Sequence, residues 1–467
     1  MSHATDRPSL LKRIGPVGCA AAAYGLLLCL LLMLAGGWWL RAVRRIHAGT
    51  AEIHARREPA DAAAIEALYR RPPKDLDCTD QWTMAVADFV GPPFYAATAG
   101  LPFVGKDVEP PPPGGEWPGF PAAEAFLRRY AAEMTLMHRA AARGGAARYP
   151  TAFRQGAGMA LPHVHPLWGG AQMLALEANV RAHRGDATGA AESIHAIFAL
   201  AGSLKNEPIG VSQSMRMRFD GIGWEQIQRL LPVVEFADGD LRRFQAHLRA
   251  TNYEQTWHNV LLAERVMGII AFREPETSAM SETNGAVWRI AQAGDQALFL
   301  DMQNRLVAAS GESWRKLRAE AAAIDREMAD LAAVPAWQRD AHAISREFVG
   351  RCLASVEYAG RAAARNEAAD AALEVELFLR ERGRLPTALD ELVPELLPNV
   401  PADRFDTASP AAALRFVARA DEWLIYSVGP DGVDDGGDDT VDSAGHPSAD
   451  VVVRMRLSGH RAGEAPR

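Results

Sequence analysis

The feature that most constrains this chain is a run of 27 residues, 14–40, without a single charged side chain. It contains the leucine triplets 26–28 and 30–32. About 20 apolar residues cross the hydrocarbon of a bilayer, so the run is long enough to span one with some tilt. Arg7, Lys12 and Arg13 precede it, and Arg41, Arg44 and Arg45 follow it. Trp38 and Trp39 stand where an interfacial aromatic belt would lie. A cleaved signal peptide is the competing reading, with Ala35 and Gly37 as a small-x-small site. The run is longer than an h-region, and two tryptophans and an arginine cluster follow it, which favours an uncleaved anchor. No second stretch of comparable length occurs, so a single pass through the inner (plasma) membrane is expected, with the lipid bilayer as a partner. Three basic residues on each side leave its orientation open.

Charge narrows the partners further. The 467 residues carry a formal charge of −8, yet residues 421–450 alone hold eight Asp, one Glu and no Lys or Arg. The remainder is almost neutral and lacks the clustered basic surface that phosphate binding needs, so nucleic acid is excluded as the main partner. With 48% hydrophobic and 23% charged residues, the chain has ample material for a packed core. Cys19 and Cys29 fall in the apolar run, leaving Cys78 and Cys352 in the body as either one disulfide or two buried thiols.

The order of elements reads as helical, then β. Residues 46–71 continue as helix, divided near Pro59 and stopped by Pro72-Pro73. From Lys74 to Pro121 the pattern is irregular, and Pro110 to Pro113 followed by Gly114-Gly115 marks an exposed loop. Between Ala122 and Arg382, alanine content and spacings of three and four predict a mainly helical body. Within it, Arg184-Gly185-Asp186 separates two helical runs, with Gly185 ending the first and Asp186 capping the second. This hairpin is of tetratricopeptide type, but no second copy follows at a period of 34, so no solenoid is expected. Residues 273–285 read as a long loop, followed by helices over 287–308, 314–333 and 345–382. Three short strand runs then appear, at 414–417, 423–428 and 450–457, with a hairpin turn at Ala420-Asp421-Glu422. The expected fold is thus mainly α. It comprises a tail and anchor (1–45), a juxtamembrane helix and Pro/Gly-rich loop (46–121) and a helical extracytoplasmic body (122–344). A small α+β head with a three-stranded antiparallel sheet (345–467) completes it.

The second and third strands flank Gly429-Pro430-Asp431-Gly432-Val433-Asp434-Asp435-Gly436-Gly437-Asp438-Asp439. Carboxylates this dense repel one another unless a cation neutralises them, and the glycines allow their oxygens to turn inward. A hard cation such as Ca²⁺ takes six to eight oxygens. An EF-hand starting at Asp431 fails at Val433 and lacks its terminal Glu and flanking helices.

Three segments together carry a resemblance: 383–394, Pro401-Ala402-Asp403, and Tyr426-Ser427-Val428-Gly429-Pro430-Asp431-Gly432. Residues of roughly 350–457 resemble the C-terminal half of the major pseudopilin of type II secretion systems. The resemblance implies a long helix, a proline-bearing turn, a small sheet and a calcium-binding loop. It assigns calcium to Asp431, Asp438 and Asp439, with the backbone of Val428, and leaves Asp434 and Asp435 as extra carboxylates. The chain departs from a pilin in having no processing site before its apolar run and no Glu within it. It also has about 310 residues between anchor and head, and Arg404 where the family usually has Pro. As a whole it resembles uncharacterised membrane-anchored bacterial proteins that end in such a head. Weak calcium binding suits the extracytoplasmic side, which places the bulk of the chain there.

Catalytic motifs are absent: there is no H-E-x-x-H, G-x-S-x-G, P-loop or G-x-G-x-x-G. His163-Val164-His165 lacks a recognisable third metal ligand nearby, and Glu264-Arg265 reads as a structural ion pair. The sequence therefore points to a membrane-anchored structural or interaction protein with unidentified protein partners. A secretion-related component and an envelope enzyme with a dispersed site are the alternatives.

Overall fold

The computed structural model describes residues 10–274, 286–406, 412–439 and 450–457. The apolar run lies in α1 (Leu10–Ala55), a helix of 46 residues and thus about 69 Å long. Its large apolar side chains from Tyr24 to Leu40 are exposed, whereas Ala42 and Ile53 further along are buried. One continuous helix therefore leaves its apolar part uncovered and inserts its other end into the body. The break expected near Pro59 follows, and α2 (Ala62–Leu68) restarts with the Asp61 carboxylate accepting from the Ala64 N–H at 2.9 Å.

Residues 74–121, expected to be irregular, contain α3 (Thr79–Val86), α4 (Pro92–Thr98) and the start of α5 (Phe120–Arg129). Helices of eight and seven residues are too short for a helical period to register in sequence. The proline loop is pinned to the body: Arg229 donates to the Pro110 carbonyl, and the His183 imidazole lies 3.0 Å from that of Pro111.

After α6 (Ala131–Ala142) comes the predicted hairpin, α7 (Val164–His183) and α8 (Ala187–Ser203). Gly185 takes φ +76°, and the Asp186 carboxylate caps α8 through the Gly189 N–H at 2.8 Å. Buried Ala178, Ala190 and Ala191 keep the two helices close. The remaining helices are α9 (Gly210–Leu230), α10 (Asp238–Ala250), α11 (Tyr253–Arg273), α12 (Ala286–Ser310), α13 (Trp314–Ala333), α14 (Ala336–Asp340) and α15 (Ala343–Arg382). Most of the loop expected at 273–285 lies outside the described residues. Gly383 ends α15 in the left-handed conformation at φ +71°.

The sheet has the order β1 (Arg415–Ala418), β2 (Glu422–Ser427), β3 (Val451–Arg456), antiparallel throughout. Phe416 pairs with Ile425, and Ile425 with Val453. Trp423, Ile425, Val453 and Met455 share a core with α7 to α10 and the alanine-rich second half of α15. The first half of α15 (Ile344, Phe348, Val349, Val356) belongs to a different core, with Ile53 of α1 and residues of α11, α12 and α13. Cys78 and Cys352 are buried in separate cores as free thiols.

The expected Glu264–Arg265 pair does not form. Successive helical residues point about 100° apart, so Glu264 faces Arg351 at 3.6 Å while Arg265 faces Glu58 at 2.7 Å and Asn304 at 3.1 Å. Asn304 in turn donates to the Gly49 carbonyl at 3.1 Å and to Glu52 at 3.0 Å. Arg265 is fully buried and joins α1, α11 and α12 at one point.

Two outcomes are expected. Gly185→Ala should cost about 1 kcal/mol by urea denaturation, because alanine is strained at this positive φ. Glu58→Ala should cost about 3 kcal/mol in the same assay, because it leaves the Arg265 guanidinium buried without its carboxylate.

Candidate functional site

The acidic loop is positioned from beneath by Asp403. This carboxylate is buried, with one oxygen accepting from the Ser427 hydroxyl at 2.6 Å and the Phe405 N–H at 3.0 Å. Its other oxygen accepts from the Val428 N–H at 2.9 Å and from Arg415 at 3.0 Å. The Pro-Ala-Asp segment and the Ser-Val-Gly segment are thus two halves of one clasp. Gly429 and Gly432 then turn the chain at φ +67° and +71°.

The loop folds back across the face of β2 opposite the core. Gly437 sits so close to this face that an added Cβ would lie 2.8 Å from Leu424 Cδ1 and 3.2 Å from the Tyr426 ring. Leu424 and Tyr426, which simple alternation would leave in water, are therefore buried. The Tyr426 hydroxyl donates to Asp434 at 3.0 Å, and the Gly437 N–H donates to Asp450 at 2.8 Å.

Arginine neutralises much of the local charge. Arg415 reaches Asp403 at 3.0 Å, Asp406 at 2.7 Å and Asp434 at 2.7 Å. Arg454 bridges Glu422 at 2.8 Å and Asp439 at 2.9 Å. From α13, Arg318 donates to the carbonyls of Phe405, at 3.2 Å, and of Pro430. Burial pushes the Asp434 carboxyl up, but the Gly436 N–H, the Tyr426 hydroxyl and Arg415 together hold it below the usual carboxylate range. Asp450 is shifted the other way, by burial and by the neighbouring charges of Asp435 and Asp434, against the opposing N–H groups of Gly437 and Asp435.

The residues expected to hold calcium lie on or beside this loop. Val428 is buried beside Ala364, Phe405 and Val451. Asp431 is exposed and accepts from the Val433 N–H at 2.9 Å. Asp438 is exposed, and Asp439 is held by Arg454. Among the described residues, no three His, Cys, Asp or Glu side chains gather into a metal-holding group. Residues 440–449, including Asp442, lie outside the described residues. Of the loop's described carboxylates, Asp434 and Asp439 meet guanidinium groups, while Asp431 and Asp450 accept backbone N–H groups. The distant partners Arg318, Arg415 and Arg454 carried no motif, which is why sequence reading missed them.

Two interior polar clusters also escaped it. His163 Nε2 lies 3.1 Å from both oxygens of the buried Glu207, which also accepts from Tyr69 at 3.1 Å and Ser212 at 2.6 Å. His165 is exposed, so the two histidines do not converge. In the second cluster, Asp220 lies 2.7 Å from His247 Nε2 and accepts from the Tyr253 hydroxyl at 2.6 Å. Burial raises the Asp220 carboxyl, but His247, Arg216 and Tyr253 outweigh it and hold it below the usual range. It lines a groove of about 270 Å³ between α9 and α15. No family model, curated protein or solved structure matches this chain.

Arg415→Ala is expected to destabilise the protein by about 3 kcal/mol in urea titrations, since it removes the charged partner of the buried Asp403 carboxylate. The depressed acid Asp220 stabilises the fold above the ordinary aspartate range, and this contribution is lost as pH falls through its lower folded value. Asp220→Asn should therefore lower the melting temperature near neutral pH, and the gap to the parent should close in acid.

Proposed function

We propose that this chain is a single-pass, membrane-anchored structural or interaction protein of the cell envelope, with its bulk on the extracytoplasmic side. The observation that carries this reading is the division of α1. Its 18-residue apolar window has no buried residue, while its far end is packed against α12 and tied to Arg265. An apolar helix exposed all round suits lipid. Because it continues unbroken into the body, it acts as a stiff mount rather than a tether, which suits holding a head at a set height for a protein partner.

The head is proposed to be a pseudopilin-like domain stabilised by calcium. The element order of long helix, turn and three-stranded sheet supports this. So does the density of carboxylates on the loop, where Asp431, Asp434, Asp435, Asp438 and Asp439 lie within nine residues. Asp431, Asp438 and Asp439, all exposed, are the carboxylates assigned to the ion, with the backbone of Val428. Calcium would join the loop to the sheet and relieve the remaining repulsion.

Full-length protein is expected to stay with membranes after an alkaline carbonate wash, and a chain lacking residues 1–41 to be soluble. Release of the full chain would overturn the anchor. A site with a dissociation constant near 1 mM adds about 1.4 kcal/mol of stability at about 10 mM Ca²⁺. Calcium should therefore raise the melting temperature of the parent by a few degrees, and the Asp431→Ala, Asp438→Ala variant should not respond. A parent that melts identically in calcium and in chelator would end the calcium reading.

A further inference from the structure

The groove that Asp220 lines between α9 and α15 combines apolar walls with groups that donate hydrogen bonds. Met217, Trp224, Leu248 and Ala369 supply apolar surface, and the rings of Tyr253 and Tyr358 add aromatic faces. Its volume of about 270 Å³ falls just below the range of pockets for drug-sized ligands, so it suits a smaller molecule.

Arg361 and Arg365 stand one helical turn apart on α15, and both line the groove. Arg361 is drawn towards Glu357 at 3.4 Å. Arg365 is exposed and has no ion pair among the described residues. A Cβ added to Gly221 of α9 would lie 3.8 Å from Arg365 Nη1, so this guanidinium reaches across to the facing helix. The Trp224 indole N–H is buried and has no acceptor among the described residues. The carboxylate of the groove is already engaged, since one Asp220 oxygen meets His247 Nε2 at 2.7 Å and the other accepts from the Tyr253 hydroxyl at 2.6 Å. Against the Tyr253 ring lies Arg216, its guanidinium carbon 5.3 Å from the ring centroid. Arg216 is buried with no carboxylate in salt-bridge contact among the described residues. A buried guanidinium without such a partner leaves positive potential at its surroundings. The groove thus offers donors and positive charge in excess of acceptors.

We propose that this groove binds a small aromatic carboxylate, with the ring against the tyrosines and Trp224 and the carboxylate on Arg365. A guanidinium matches a carboxylate through two parallel N–H donors. One guanidinium without an ion pair balances one negative charge, whereas a phosphate dianion would leave charge unmatched beside apolar walls. Those walls in turn require an apolar body on the ligand, and aromatic faces pack best against another ring. The groove is built from α9, α10, α11 and α15, so the inference stands apart from both the anchor and the calcium readings.

The test is a fluorine NMR titration of fluoronaphthoate, and separately of its neutral counterpart fluoronaphthamide, into full-length protein in phosphatidylcholine nanodiscs. Line broadening beyond that caused by empty nanodiscs reports binding. A dissociation constant of about 1 mM or tighter is expected for an acid of this size. The amide, which has the same shape without the charge, should bind about tenfold more weakly. Arg365→Ala should weaken the acid by a similar factor and leave the amide unchanged. Because Arg365 is exposed and makes no ion pair, this variant should fold like the parent. Tyr358→Ala, which removes one aromatic face, should weaken both probes. No broadening by the acid beyond empty nanodiscs overturns the site. Equal binding of acid and amide, or an acid that binds Arg365→Ala as it binds the parent, overturns the assignment of a carboxylate to Arg365. Unchanged binding of both probes to Tyr358→Ala places them outside this groove and overturns the inference as well.

Discussion

One helix, α15, serves two hydrophobic cores, and the rest of the molecule is arranged along it. Its first half packs with α11, α12 and α13, and its second half with α7 to α10 and the sheet. Alanine makes this possible. Ala363, Ala364, Ala368, Ala369, Ala371 and Ala372 are all buried and let neighbouring backbones approach. The N-terminus of the helix is capped from another element: the buried Asp295 of α12 accepts from the Ile344 and Ser345 N–H groups, each at 3.1 Å. The head is therefore continuous with the core of the body rather than hung from it.

The same logic governs the junction with α1. Arg265, Glu58, Asn304, Glu52 and the Gly49 carbonyl form a buried polar knot where α1, α11 and α12 meet. A hydrophobic contact would tolerate sliding, whereas charged and amide groups with fixed partners set one register. A stiff path thus runs from the apolar part of α1 through the knot and α12 into α15, and so to the sheet.

The acidic loop shows how tertiary context changes an electrostatic argument. In sequence, its carboxylates face only one another, and an external cation looks necessary. In the folded chain, Arg415 comes from β1, Arg454 from β3 and Arg318 from α13, and each reaches the loop or its clasp. Part of the repulsion is relieved within the protein by these guanidinium groups. That residue distribution, rather than the total charge, is what any bound cation would respond to.

Periodicity, capping and composition were sufficient for the broad order of helices followed by a small sheet, though not for the short α3 and α4. The apolar run, the Gly185-Asp186 hairpin, the Gly383 stop and the three strands are all local signals, set by backbone preference and burial within a few residues. The folded chain alone decided the partners. Glu264 and Arg265 are adjacent in sequence yet point to Arg351 and Glu58, because a helix turns its neighbours apart. Leu424 and Tyr426 are buried only because Gly437 brings the loop across them. The sequence by itself determined that there is an apolar helix and an acidic loop. Only the tertiary structure decided how far along that helix the body begins and which arginines answer the loop, because both depend on residues brought together from distant parts of the chain.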